Sequence, residues 1–133
     1  MTPTENLYYA LGEIAYTIAF ADGKVQREEM DRFSEIVKSG LQSGTNSYDI
    51  AGIVFELLRK ERHDADTTYE WAMREFNNNS HYLSPEMKQS FLDTLDAVSK
   101  AFPPVTSKEE ALLESFKRDI ALLKGDPAYY ARK

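Results

Sequence analysis

The sequence predicts an all-α fold, a compact bundle of about six helices with a pseudo-repeated helix-turn-helix unit, in a single domain over residues 1–133. Three observations predict it. Apolar residues recur at steps of three and four, as the inner face of an amphipathic helix requires. Capping residues, glycines and prolines divide that pattern at short intervals. No stretch alternates apolar and polar residues between hairpin turns, as a half-buried strand would.

The first two helices are predicted in the N-terminal third of the chain. Thr4 is the expected N-cap of the first helix. The inner face of this helix consists of Leu7, Leu11, Ile14, Ala15 and Ile18. The second helix is expected from about Gln26 to Leu41. Its inner face consists of Met30, Phe33, Ile36 and Val37.

The third and fourth helices are predicted with Ser47 and Asp66 as their N-caps. The inner face of the third consists of Ile50, Ile53, Val54, Leu57 and Leu58. The inner face of the fourth consists of Tyr69, Ala72, Met73 and Phe76. The fourth helix is expected to end at Asn77–Ser80, because asparagine favours local side-chain hydrogen bonds over helix continuation.

The last two helices have the clearest boundaries. Ser84 followed by Pro85 indicates an N-cap and a first helical residue, and the fifth helix should end before Pro103. A capping box of Thr106 with Glu109, or of Ser107 with Glu110, begins the sixth. The inner face of the fifth helix consists of Met87, Phe91, Leu95, Val98 and Phe102, and that of the sixth of Leu112, Leu113, Phe116, Ile120 and Leu123. Gly125 and Pro127 are expected to close the sixth helix.

Composition narrows the possible functions. The chain has 16 Lys and Arg against 22 Asp and Glu, a net charge of −6, and no cysteine. This balance argues against a nucleic-acid binder and favours a cation site or a basic protein partner. The lack of cysteine excludes thiolate metal sites and a cysteine nucleophile. The apolar run from Ala10 to Ala21 is short and interrupted by Glu13, so we expect no membrane span and a cytoplasmic protein.

Two segments of the chain resemble each other. The segment beginning at Ala21 has Val, Glu and apolar residues at the same spacings as the segment beginning at Ala101, 80 positions later. Any two helix-turn-helix units with a capping Glu would share this pattern, so a duplication and a common local motif both explain it. Asp22-Gly23 of the first copy is replaced by Phe102-Pro103 in the second. A polar site would therefore belong to the first copy.

The Asp-Gly turn resembles the second half of an EF-hand calcium loop. Four residues match the fifth, sixth, eighth and twelfth loop positions, namely Asp22, Gly23, Val25 and Glu29. The first and third positions fall on Ile18 and Phe20, which cannot coordinate a metal. A complete EF-hand is excluded, whereas a site with two or three carboxylates is not.

A purely structural role explains most of the same turn. Gly23 can end the first helix in the left-handed conformation, and Glu28 and Glu29 favour a helix N-terminus through the macrodipole. Asp22 is different, because its carboxylate lies near the negative end of the preceding helix. It can cap the next helix, pair with Lys24 or bind a cation, and these alternatives stay open.

The segment from Leu7 to Val37, above all Ile18 to Val25 with Glu28-Glu29, resembles the TerB-like family, which includes the tellurite-resistance protein TerB and a helical domain of the DjlA co-chaperones. Val105 to Leu113 resembles a second family turn that has lost its Asp-Gly. The resemblance implies an all-helical domain with a divalent-metal site, acting in bacterial stress response. It assigns Asp22 and Glu29 to the metal, with Glu28 as a third ligand.

Other polar residues form no recognisable catalytic set. His63 and His81 are 18 positions apart, and neither has a histidine partner at zinc-ligand spacing. Asp93 and Asp96 lie on one helix flank, where they could chelate an ion or face solvent. We therefore expect no enzyme.

The first hypothesis is an interaction module that binds a divalent cation weakly, and the alternative is a metal-independent acidic docking module for a protein partner. A metal-dependent hydrolase using Asp22 and Glu29 is the third.

Overall fold

The structure is a computed structural model that describes residues 2–20, 48–100 and 106–130, together with Asp31 and Glu35. These residues contain six α-helices, one 3-10 turn over Ser80–Tyr82, and no strand, which confirms the all-α class. The helices are α1 Pro3–Ala19, α2 Tyr48–Glu61, α3 Ala65–Asn78, α4 Pro85–Lys100, α5 Ser107–Ala121 and α6 Pro127–Tyr130.

Several predictions made from the sequence lie outside the described residues. These are most of the second helix over 26–41, the Ser47 cap, the Asp22-Gly23 turn and the Phe102-Pro103 turn. Within the second helix, only Asp31 and Glu35 are described, and both are helical and exposed.

Helix α1 lies at the centre of the fold. The five residues predicted to form its inner face are all buried, but so is every residue from Ala10 to Ala19. α1 packs mainly against α2 and α3, and it also contacts α4 and α5. A helix that is apolar around most of its circumference must be covered on all sides, which explains why one stripe was too narrow a description.

α1 and α2 approach each other at the level of the backbone. A Cβ atom at Gly12 would lie 2.5 Å from the Ala51 carbonyl oxygen and 3.0 Å from its Cα. Two small residues facing each other allow this approach. The α1–α2 contact therefore depends on the absence of a side chain at Gly12.

Two N-caps differ from the prediction. The first helix begins earlier than expected, because Thr2 rather than Thr4 is its N-cap: the Thr2 hydroxyl accepts from the Glu5 amide at 3.1 Å, and the Thr2 amide donates to Glu5 Oε1 at 2.8 Å. Pro3, which has no N–H, takes the first helical position. The cap of α3 is Asp64 rather than Asp66, since the Asp64 carboxylate accepts from the Thr67 amide at 2.9 Å. Asp66 lies within the first turn.

The inner face of α2 is rotated from the predicted one. Ile53 and Leu57 were expected to be buried, but they are 61% and 51% exposed. The buried residues of α2 are Ala51, Val54, Phe55 and Leu58. Both stripes are apolar at helical spacing, so periodicity could not choose between them. The close contact of Ala51 with Gly12 selects the observed one.

The N-caps of α4 and α5 agree with the sequence, but the end of α5 does not: α5 ends at Ala121, before Leu123 and Gly125, and Pro127 begins the short helix α6. The Ser84 hydroxyl accepts from the Met87 amide at 3.1 Å, and the Thr106 hydroxyl accepts from the Glu109 amide at 3.1 Å. α3 ends at Asn78, as predicted. Three phenylalanines, Phe76, Phe91 and Phe116, join α3, α4 and α5 in the core, with the Phe76 ring centroid 6.1 Å from Phe91 and 5.4 Å from Phe116.

Candidate functional site

The residues predicted to hold a metal are not described by the structure. Asp22, Glu28 and Glu29 lie outside the described residues. What is described is the helix that leads into this turn. α1 ends at Ala19, and the amide of its C-cap residue Phe20 donates to the Tyr16 carbonyl at 2.8 Å. The predicted Asp-Gly turn therefore follows the end of a buried helix.

Glu109 has the same position in the segment beginning at Ala101 as Glu29 has in the segment beginning at Ala21. Glu109 is the third residue of α5, its amide is capped by Thr106, and its side chain is only 7% exposed. This is the structural role that the sequence allows for Glu29 as well, because a carboxylate in the first turn interacts favourably with the helix N-terminus.

A cavity of 290 Å³ lies between α1 and α3. Three residues of α1 and three of α3 line it, namely Asn6, Tyr9, Glu13, Trp71, Arg74 and Glu75. The α1 residues follow one another at steps of three and four, and the two other α3 residues lie three and four positions after Trp71, so each set shares one side of its helix. We call this space the Glu13 cavity.

Glu13 is the most unusual residue of the cavity. Its side chain is 4% exposed, and its buried Oε1 atom has no hydrogen-bond partner among the described residues. Burial, together with the negative charge of Glu75, raises the pKa of Glu13 to about 7. Both effects act in the same direction, because each disfavours the ionised carboxylate.

The surroundings of Tyr9 indicate the same negative potential. Burial raises the pKa of the Tyr9 hydroxyl, and the charges of Glu13, Glu75 and Glu61 raise it further. The aromatic rings are nevertheless accessible: Tyr9 is 38% and Trp71 41% exposed. The Glu13 cavity thus combines two carboxylates with two partly exposed aromatic residues.

This site was not predicted from the sequence. Glu13 was recognised only as the residue that interrupts the apolar run from Ala10 to Ala21. An acid in the middle of an otherwise apolar helical run was the available signal, since buried carboxylates are rare unless paired. Its neighbours on α3 are about 60 positions away and share no motif with it.

The other polar residues singled out in the sequence have partners or lie apart. Asp93 accepts from the Gln89 amide group at 2.8 Å, whereas Asp96 lies 3.5 Å from the Lys117 ammonium, so the two acids are engaged separately. The His63 ring contacts Trp71 and the His81 ring contacts Tyr129, both with centroids 5.3 Å apart. Across residues 2–20, 48–100 and 106–130, no group of three Asp, Glu, His or Cys side chains is arranged to hold a metal ion.

A second cavity lies beside the N-terminus of α3. It has a volume of 410 Å³ and is lined by Asp64, Ala65, Asp66, Lys108, Ala111, Leu112 and Ser115. The carboxylate of Asp64 is already used as the cap of α3, and its hydrogen bonds with Thr67 lower the pKa of Asp64. Acidic and basic side chains are mixed here, so this cavity has no distinct chemical character.

Comparisons with known proteins identify the family. None of the helices in the described part of the chain is long and apolar enough to cross a membrane. Comparison with curated proteins and with solved structures gives no significant match. The family model described as "Tellurite resistance protein TerB" matches residues 9–127 and confirms the resemblance seen at the Asp-Gly turn, so the chain belongs to the TerB family.

Proposed function

We propose that this chain is a non-catalytic interaction domain of the bacterial stress response, of the tellurite-resistance type, which works in the cytoplasm and binds a divalent cation weakly. The ligands are Asp22 and Glu29, with Glu28 as the third. The observation that carries the proposal is the family match over residues 9–127, because that span includes the whole Asp-Gly turn and the acidic residues after it.

The chemistry of the turn supports a hard cation. Carboxylate oxygens are the ligands that calcium and magnesium prefer, and a chain without cysteine offers no thiolate competitor. With one oxygen from each, two or three carboxylates supply at most half of the six to eight oxygen ligands of calcium. Water would supply the remainder, so the affinity is expected to be weak.

Calorimetric titration with calcium, magnesium, manganese and zinc tests the proposal. Wild type should bind at least one of these ions, and Asp22→Asn and Glu29→Gln should each weaken that binding. A ligand at a hundredfold excess over its dissociation constant stabilises a fold by about 2.7 kcal/mol, so thermal unfolding provides a second measurement. The matched control is Glu70→Gln, which neutralises an exposed acid on α3. Absence of heat and of thermal stabilisation with all four ions would refute the cation site.

The alternative is a metal-independent acidic docking module for a basic protein partner. The observation that favours it is the net charge of −6. Binding through exposed charges weakens as salt screens them. If partner capture persists with chelator but falls steeply with ionic strength, the docking function replaces the cation site. A screen with esterase and phosphatase substrates in the presence of metal tests the absence of catalysis.

A further inference from the structure

We infer that the Glu13 cavity is a binding site for a primary alkylammonium group, carried either by a free amine or by a lysine side chain. This site shares no residue with the divalent-cation site proposed above. It lies between α1 and α3, whose contact is fully described, and it does not depend on the metal or docking functions.

The buried carboxylate oxygen of Glu13 supports a ligand with hydrogen-bond donors. Glu13 Oε1 is buried and lacks a hydrogen-bond donor among the described residues, although the side chain lines an open cavity. Leaving a buried polar atom unsatisfied costs about 1–3 kcal/mol, and more when the group is charged. A donor that enters the cavity would satisfy this atom, which no group in residues 2–20, 48–100 and 106–130 does.

The charges around the cavity support a cationic ligand. Two carboxylates, Glu13 and Glu75, line the cavity and repel each other, and a single cationic residue, Arg74, accompanies them. In the described part of the chain no ion pair joins Arg74 to either acid, and the Arg74 side chain is exposed. Water could donate a hydrogen bond to Glu13, but it would not supply the positive charge that relieves this repulsion.

The aromatic residues of the cavity wall support a cation that carries an alkyl group. Tyr9 and Trp71 line the same cavity and are both more than one-third exposed. A cation over the face of Trp or Tyr gains about 0.5–2 kcal/mol from the ring quadrupole. Carboxylates and aromatic faces together bind organic cations, which have an alkyl part that can cover the rings.

These features select a primary ammonium from among other cations. No group of three Asp, Glu, His or Cys side chains in the described part of the chain is arranged to hold a metal ion, and a metal ion would leave the aromatic rings of Tyr9 and Trp71 uncovered. A quaternary ammonium has no N–H group and would leave Glu13 Oε1 unpaired, whereas a primary ammonium has three donors. The volume of 290 Å³ is at the lower end of small-molecule sites, so it suits a short alkyl chain with one charged end.

The chain provides its own probe for this site. Trp71 is the only tryptophan, so the intrinsic fluorescence of the full-length protein reports on the cavity directly. We expect n-butylammonium chloride and 1,5-diaminopentane to change this fluorescence in a saturable manner at pH 8, where Glu13 is largely ionised. Calorimetry should give the same dissociation constants.

Two variants and a control locate the binding. Glu13→Gln and Glu75→Gln should each weaken n-butylammonium binding by about tenfold or more, the loss expected when a charge-assisted contact is removed. Glu70→Gln, on the solvent side of α3, should leave the affinity unchanged. Because Glu75→Gln keeps Glu13 intact, it provides a second test if Glu13→Gln alters the fold.

Further ligands determine the chemistry and its source. Tetramethylammonium should bind more weakly than n-butylammonium by about tenfold, because it cannot donate a hydrogen bond. A peptide that contains one lysine replaces the free amine in a further titration. If this peptide binds and its Nε-acetyllysine form does not, the ligand is a lysine of a protein partner. If diaminopentane binds and the peptide does not, the ligand is a free amine. The proposal is overturned if neither amine binds, if both glutamine variants bind like wild type, or if tetramethylammonium or n-butylguanidinium binds more tightly than n-butylammonium.

Discussion

Gly12 and Glu13 are adjacent on α1, yet they face two opposite kinds of helix contact. At Gly12 the backbone of α1 meets that of α2 so closely that a methyl group would not fit. At Glu13 the contact between α1 and α3 opens into a cavity of 290 Å³, and the buried Glu13 Oε1 has no hydrogen-bond partner within the described part of the chain. Protein interiors are normally close-packed. The contact at Gly12 shows that α1 reaches such packing one residue away.

This difference indicates that the cavity is a local feature of the α1–α3 face and not a general looseness of the bundle. Because α1 packs against α2 with their backbones in contact, larger side chains on α1 and α3 could also fill the 290 Å³ of the Glu13 cavity. An apolar residue at position 13 would remove the unpaired charge, and buried charges are usually no more stabilising than apolar replacements. Stability therefore does not explain the presence of Glu13. Four substitutions test whether the two helix contacts differ in this way.

The largest effect is expected from Gly12→Ala. The added Cβ would collide with the Ala51 backbone, which cannot move aside as a flexible side chain could. Overpacking typically costs 1–3 kcal/mol, and we expect about 3 kcal/mol here, or a decrease in Tm of about 10 °C. Urea and thermal unfolding would measure it. Unchanged stability would show that α1 and α2 separate easily, and the contrast with the Glu13 face would disappear.

The next effect has the opposite sign and comes from Glu13→Gln. Because the pKa of Glu13 is raised from 4.5 to about 7 in the folded protein, the folded state binds the proton more tightly than the unfolded state does. The stability of wild type should therefore fall as pH rises from about 4.5 to 7 and stay level above. Glu13→Gln removes this loss and should be more stable than wild type by on the order of 3 kcal/mol at pH 8.

Urea unfolding at pH 5 and pH 8 would measure this difference. The two proteins should be closest at pH 5, where Glu13 is largely protonated, and the other charged groups of the cavity, Arg74 and Glu75, are present in both. Glu70→Gln controls for the loss of a surface charge. If Glu13→Gln showed the same fall in stability between the two pH values as wild type, the buried carboxylate would not be the cause.

The sequence predicted the architecture well because local signals define it. The serine before Pro85 and the threonine before α5 cap their helices as expected. The predictions were wrong where two sets of residues satisfied the same local rule equally well. Thr2 and Thr4 are both capping residues next to Pro3, and α2 has two apolar stripes, of which only tertiary contact with Gly12 selects one.

The candidate site was less predictable for a different reason. The Asp22 turn is contiguous in sequence, so a motif revealed it. The Glu13 cavity is formed by two helices that are distant along the chain, and its residues are unremarkable one at a time. The property that distinguishes Glu13 is a buried oxygen atom that has no hydrogen-bond donor among the described residues. No pattern of residue types contains that information.

A smaller effect is expected from Glu109→Gln, which tests whether any buried carboxylate behaves like Glu13. Glu109 is 7% exposed, but it lies in the first turn of α5, where a negative charge is favourable. We expect a decrease in stability of about 0.5–1 kcal/mol at pH 8, opposite in sign to Glu13→Gln. Urea unfolding under the same conditions measures it. An increase in stability would show that burial alone, and not the missing partner, determines the effect at Glu13.

The smallest effect on stability is expected from Trp71→Phe, and it separates binding from folding. Trp71 is 41% exposed, so the substitution should change the free energy of unfolding by less than about 0.5 kcal/mol. The affinity for n-butylammonium should nevertheless fall several-fold, because phenylalanine is a weaker cation–π partner than tryptophan. Calorimetry must replace fluorescence here, since the only tryptophan is lost. Equal affinity in the two proteins would mean that the aromatic wall does not contact the cation, and the carboxylates alone would define the site.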